Sequence, residues 1–364
     1  MRAFVVSTVL VSLLSPWTVI PTAQSATAAD SRQPPSTDGA SGVPAPGRAG
    51  APGAGPPLAP PLTQAAVDKA APILAAARQA LGGDKLAAIR TLIARGQTRR
   101  LRGNNLVPIL FEMDLELPDK YLRRDESPWE NSDPTSLGFN GSDLLQVPSP
   151  AALPVAPPAR AGAPPVPQAA LDAAARTRTA SVDRVKQDFV RFALGIFAQS
   201  FDTYPLTFGY AAQAQAPQGT ADVLDVRGAD GFAMRFIIQS DTHMPVMVSW
   251  TLPPTAVVVA VTGQPPPATV APGAVVVTAP AAPPASAPQE QKDQYARDVL
   301  ALRQKAQATP VEHRIYFADY READGVKLPF RLRRAIGADT TEETTFDRFQ
   351  INPRIAAQKF AVTK

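Results

Sequence analysis

Residues 319 to 334 read DYREADGVKLPFRLRR and set Asp319, Glu322 and Asp324 close together. Carboxylates at that density can cradle a metal ion, act as an acid/base pair, or decorate a tight turn. The Asp324-Gly325 pair between alternating runs favours the turn, because such hairpins need a positive φ that glycine tolerates. On that reading the three carboxylates spread along a hairpin, with Asp319 a strand-length from its tip. A second pair, Asp114 and Glu116, projects from one face of the alternating segment FEMDLEL (111–117) and can seat a cation. The ordinary reading is a solvated face opposite the basic residues of RGQTRRLR (95–102), since cross-strand charge pairs are common sheet decoration.

The 2 histidines, His243 and His313, fall in separate predicted hairpins. They lack the i, i+4 helical spacing of an H-E-x-x-H metal site. No serine stands in a G-x-S-x-G elbow, and no glycine-rich run matches a phosphate cradle. GFNGSD (138–143) reads as a turn before LLQV. With 0 cysteines in 364 residues, zinc-thiolate sites, cysteine nucleophiles and disulfides are excluded. No cofactor or metal is implied. A hydrolase that uses Asp or Glu with a histidine therefore has no convergent motif behind it. The formal net charge of +4 is mild and the basic residues mix with acidic ones, which speaks against a nucleic-acid partner.

Residues 1–28 combine a basic start, an apolar run from Ala3 to Ile20 and an Ala26-Thr27-Ala28 end, the pattern of a secretory signal. A periplasmic or secreted location follows as an expectation. The 40 prolines concentrate in three tracts. The first lies in 29–63 and reads as a disordered Pro/Ala/Gly tether. The other two, at about 147–168 and 253–290, read as long surface insertions in a single α+β domain over 64–364, because loop closure costs little more as loops lengthen. Inside the last tract, Val257 to Val261 and Val275 to Val277 are expected to pair as an extra hairpin.

Three helices are expected. In 64–83 the stripe is Val67, Ala71, Leu74, Ala77 and Leu81; Pro72 implies a kink or a late start, and Gly82-Gly83 a stop. In 182–198 the apolar face runs through Val182, Val185, Phe189, Phe192 and Ile196, widened by Val190, Leu194 and Phe197, which predicts deep burial. The third, 290–307, is more polar. Strands are expected at 111–117, 231–239, 246–252, 313–321 and 328–332, from strict period-two alternation. QSDTHMP (239–245) and IGAD (336–339) supply turns, and the C-terminal strands form a three-stranded antiparallel meander ending in 340–351. Such a sheet has one apolar and one wet face.

Phenylalanine, methionine and tryptophan on the apolar faces suit lipid tails, and serve equally as the core beneath the helices. The order of AARQALGGDKLAAIRTLIARGQ (76–97), LPDKYLRR (117–124), IIQSDTHMPVMVSW (237–250), FADYREADGVKLPFRLRR (317–334) and INPRIAAQKFAV (351–362) resembles exported bacterial carriers of the outer-membrane lipoprotein-sorting (LolA-like) superfamily. The resemblance implies an antiparallel β half-barrel wrapped around helices, with an apolar cavity for acyl chains. It implies Phe111, Met113, Met234, Phe236, Val248, Trp250, Phe330 and Leu332 as lining residues, and an acyl chain or a lipidated protein as ligand. The leading expectation is thus a non-enzymatic periplasmic lipid- or lipoprotein-binding carrier or sensor. The alternative is an envelope interaction module that meets envelope proteins through its Pro-rich segments.

Overall fold

The computed structural model describes residues 61–103, 105–128, 132–148, 168–216, 219–263 and 270–361. The signal-like segment 1–28, most of the tether 29–63 and nearly all of the tract 147–168 lie outside them.

Helix α1 (Gln64–Leu81) starts at Thr63, whose hydroxyl accepts from the Ala66 amide, and stops at Gly82 with φ 143°. It is helical from its first residue, not from Pro72; Pro72 lies on an exposed side, where the missing amide donor faces water. Ala70, not Ala71, joins Leu74, Ala77 and Leu81 in the core. A single short turn, α2 (Asp84–Ala87), leads into the first arm of the sheet: β1 (Thr91–Arg102), β2 (Asn105–Glu116), β3 (Lys120–Glu126), β4 (Thr135–Asn140) and β5 (Asp143–Val147). After α3 (Gln168–Phe197) comes the second arm: β6 (Thr207–Ala216), β7 (Gly219–Arg227), β8 (Ala233–Gln239) and β9 (Pro245–Leu252). Two short strands, β10 (Val257–Val261) and β11 (Val275–Ala279), precede α4 (Gln289–Gln307). The meander β12 (Val311–Ala323), β13 (Val326–Ile336) and β14 (Asp339–Ile351) closes the order.

Twelve strands form one sheet in the order β5-β4-β3-β2-β1-β14-β13-β12-β9-β8-β7-β6, every neighbour antiparallel. The last strand pairs with the first, so β1 and β14 join the two arms, while β5 and β6 are the sheet's edges among the described residues. Helix α3 touches β4 and β5 on one arm and β9, β12 and β13 on the other. The sheet therefore curves around this helix as an open half-barrel, and the protein is α+β. Every residue of α3 from Phe189 to Phe197 is buried, as expected of a helix that is apolar all round. Phe189 anchors it among Tyr121, Phe139 and Phe201, with ring centroids 5.3 to 5.8 Å apart.

The β12–β13 hairpin is built around Asp324 (φ 52°) and Gly325 (φ 80°), a turn with two left-handed central residues. Glu322 sits opposite Lys327, and Asp319, at φ 56°, interrupts the ladder without shifting its register and pairs with Arg321 at 2.6 Å. Among the described residues no three His, Cys, Asp or Glu side chains gather as metal ligands.

Three expectations change. β10 and β11 pair in parallel, Val257 opposite Val275 and Val261 opposite Ala279, not as a hairpin. β9 and β12 pair directly, Leu252 opposite Val311, so 253–310 leaves and re-enters the sheet at adjacent positions. The outer face is not wholly wet: Ala214, Ala221, Val223, Ile237 and Met247 form a small buried cluster there, and Leu252 is exposed.

Asp114 is a further correction. It is buried, not solvated, because the 3-10 turn Ala357–Phe360 lies across β2 and β3. Lys359 donates to both carboxylate oxygens of Asp114 at 2.8 Å and also pairs with Glu112, which in turn pairs with Arg95. Burial outweighs this help at Asp114 and pushes its pKa up. Glu112 is held below the usual range, because its two cationic partners overcome a smaller burial penalty.

Candidate functional site

A cleft of about 450 Å³ opens between α3 and the inner face of the first arm and the meander. Its size falls in the ~300–1,000 Å³ range of small-molecule sites. Met113 on β2, Tyr121 on β3, Val185 and Phe192 on α3, and Leu332 on β13 make its apolar walls. Strand alternation puts Met113, Tyr121 and Leu332 inward, and residues of β4 and β5, Leu137 and Gln146 among them, complete the lining.

The floor is charged. Glu342 on β14 stands directly opposite Arg100 on β1 and opposite Arg334 on β13, a row across three strands. Arg100 donates to Glu342 at 2.9 Å and to Asp125 at 3.1 Å. Arg123 donates to Asp125 at 2.6 Å and to the Thr98 hydroxyl at 2.9 Å, with Glu342 at 3.5 Å. Thr344 donates to Glu342 at 3.3 Å, and its hydroxyl also bonds that of buried Thr98 at 2.9 Å.

Burial opposes ionisation of Glu342. The charges of Arg123, Arg334 and Arg100 outweigh it and hold the pKa at about 2. Burial likewise opposes the charge on Arg123, and Glu342 and Asp125 reverse that, raising its pKa. Burial pushes the Tyr121 phenol up to about 12. Around neutral pH Glu342 therefore stays ionised and the Tyr121 phenol keeps its proton.

A second, outer cleft of about 730 Å³ lies on the far side of the same row. Arg100, Arg334 and Glu342 line both, and Val270, Ala271 and Pro272 of the proline-rich insertion wall the outer one.

Of the eight residues named from the sequence, Met113 and Leu332 line the inner cleft. Phe111, Met234, Phe236 and Val248 are buried in the core that packs on α3; Phe111 meets Phe346 edge-on at 5.3 Å. Trp250 lies between the Arg191 guanidinium at 4.4 Å and the His313 ring at 5.5 Å. Burial, and then the charge of Arg191, lowers the His313 pKa. Phe330 is half-buried against Phe349 at 5.2 Å. His243 sits in the β8–β9 turn with φ 56°.

Arg100, Arg123, Arg334 and Glu342 are not among the residues expected from sequence to form the site. Alternation carries the signal: Leu332 and Arg334 share a strand face, as do Glu342, Thr344 and Phe346. Charged residues at inward positions of otherwise apolar strands mark this floor.

An open antiparallel half-barrel with an internal helix and a mixed apolar and charged cleft is the class that these features define. No family model and no curated relative matches the sequence. Among solved structures, the chain is similar to a LolA superfamily protein from Nitrosomonas europaea, at 8% identity over 78% of this chain and 97% of that one, with a TM-score of 0.38. It is also similar to a domain named for outer-membrane lipoprotein sorting from Vibrio parahaemolyticus, at 8% identity over 79% and 94%, TM-score 0.39. A DUF1329 family protein from Desulfovibrio piger matches at 7% identity over 80% and 96%, TM-score 0.36.

Proposed function

We propose that this chain is a non-enzymatic carrier or sensor that takes the acyl chain of a lipid or a lipidated protein into the cleft between α3 and the sheet. The observation that carries this reading is the inner cleft itself, whose apolar walls of Met113, Tyr121, Val185, Phe192 and Leu332 open to solvent. Burial of chain methylenes against those walls drives binding, at ~0.8 kcal/mol each. Guanidinium groups, a carboxylate held ionised and a phenol pushed up to about 12 suit holding a ligand, not moving its protons. Phe111, Met234, Phe236, Val248, Trp250 and Phe330 extend the lining wherever a longer chain displaces α3. Export to the periplasm completes the proposal and rests on the signal-like pattern of residues 1–28. Among the described residues no helix is long and apolar enough to cross a membrane.

Displacement of a fluorescent fatty acid from the delipidated protein tests this reading. Affinity is expected to rise about tenfold for every two methylenes added to the competitor, until the cleft is full. No uptake of the probe at any chain length, together with a clean unliganded mass by native mass spectrometry, would contradict it.

A further inference from the structure

The arginine floor does more than close the cleft. Three guanidinium groups, Arg100, Arg123 and Arg334, share two carboxylates, Glu342 and Asp125, while Asp188, which also lines the inner cleft, is paired with Arg191, and Asp339 lines the outer one. Both carboxylates are already engaged: Asp125 accepts from Arg100 and Arg123, and Glu342 from Arg100 and Thr344. Arg334 is different. Its nearest partner is Glu342, 3.7 Å from Nε, and among the described residues its guanidinium meets no acceptor within hydrogen-bond distance. It is neither sealed in nor free in solvent, with 30% of the side chain exposed. It lies where the inner cleft meets the outer one.

A planar fork of donors at the charged end of an apolar cleft matches the two oxygens of an anionic head. We propose that this cluster selects amphiphiles with an anionic headgroup, a carboxylate or a phosphate monoester, and that Arg334 makes the bidentate contact while the acyl chain lies along Met113, Phe192 and Leu332. The inference rests on the acyl-chain reading above and adds the chemistry of the head. The outer cleft, walled by Val270 to Pro272, then receives whatever extends beyond the head.

The test uses the full-length, delipidated protein and a fluorescent acyl probe displaced by palmitate, hexadecyl phosphate or hexadecanol, with inorganic phosphate as a fourth competitor. Palmitate and hexadecyl phosphate share the anionic head, and their order tells which oxyanion fits. Both are expected to compete at least about tenfold better than hexadecanol, and inorganic phosphate not to compete. In Arg334→Met the advantage of the anionic heads over hexadecanol should fall to about one, and Arg334→Lys should restore part of it. Equal competition by all three amphiphiles in the wild-type protein would overturn the inference, as would an advantage that survives in Arg334→Met. The wild-type comparison stands even if a variant fails to fold. Failure of all three amphiphiles to compete would instead remove the acyl-chain reading, and this one with it.

Discussion

Glu342 carries the heaviest electrostatic load of any carboxylate in the cleft. Its folded pKa of about 2 lies below the ordinary 4.5. Stabilisation from this group is therefore fully present above about pH 4.5 and is lost as the pH falls through 2. The shift corresponds to about 3 kcal/mol. Glu342→Gln should thus lower the unfolding free energy near pH 7 by about that much, because it leaves Arg123 and Arg100 short of a buried counter-charge. Urea titrations of both proteins at pH 7 and pH 2.5 check it: the gap should be wide at the first and reduced to about a quarter at the second. A constant gap would place the loss elsewhere. At this scale the sequence was half legible. The Asp324-Gly325 turn could be read because its chemistry is local. The partners of Asp114 and Glu342 could not, since Lys359 lies 245 residues from Asp114 and Arg100 lies 242 from Glu342. Long-range pairing is set by strand order, which alternation alone does not specify.

Helix α3 is the element on which the cleft depends, and Gly195 sets how closely it approaches the sheet. A methyl group built there would come within 2.1 Å of the Phe317 ring, which is itself buried and has no room to swing away. The Gly195 carbonyl also accepts from the Tyr320 hydroxyl at 2.8 Å. In an exposed helix, Gly→Ala gains up to about 1 kcal/mol. Here Gly195→Ala should instead cost about 1–3 kcal/mol through overpacking, and adding Phe317→Leu should recover part of the loss. Chemical denaturation of the single and double variants decides it, and a stabilising Gly195→Ala would refute the close approach. The burial of α3 was readable because its apolar residues cover all sides of the last turns. β6 and β7 were not read: TFGYAAQAQA is rich in alanine and glutamine, which carry little strand propensity, and pairing to β7 rather than composition makes it a strand. The parallel pairing of β10 and β11 escaped for a related reason. Valine runs announce strands without announcing their direction.

At the scale of the whole molecule, one feature organises the rest. A twelve-stranded antiparallel sheet joined at β1 and β14 wraps an internal helix and leaves its inner cleft against the first arm and the meander, not along the full concave face. Repeated alternation made the antiparallel sheet legible, and the apolar faces correctly marked the side that faces α3. The position of the opening was not legible, because it depends on where α3 stops filling the barrel. The second arm supplied four of the eight residues singled out from the sequence: Met234, Phe236, Val248 and Trp250. They are buried in the common core, where β9 packs on α3 and α1 covers β6, while the opening lies where Val185 and Phe192 meet Met113 and Leu332. Photo-crosslinking with a diazirine-bearing palmitate, followed by peptide mapping of the full chain, tests the central claim most directly. Labelled carbons should fall in β2 near Met113, in α3 between Val185 and Phe192, and in β13 near Leu332, with labelling suppressed by excess palmitate. Labelling that spreads over the outer face, or that excess palmitate does not suppress, would contradict an acyl-binding cleft at this place.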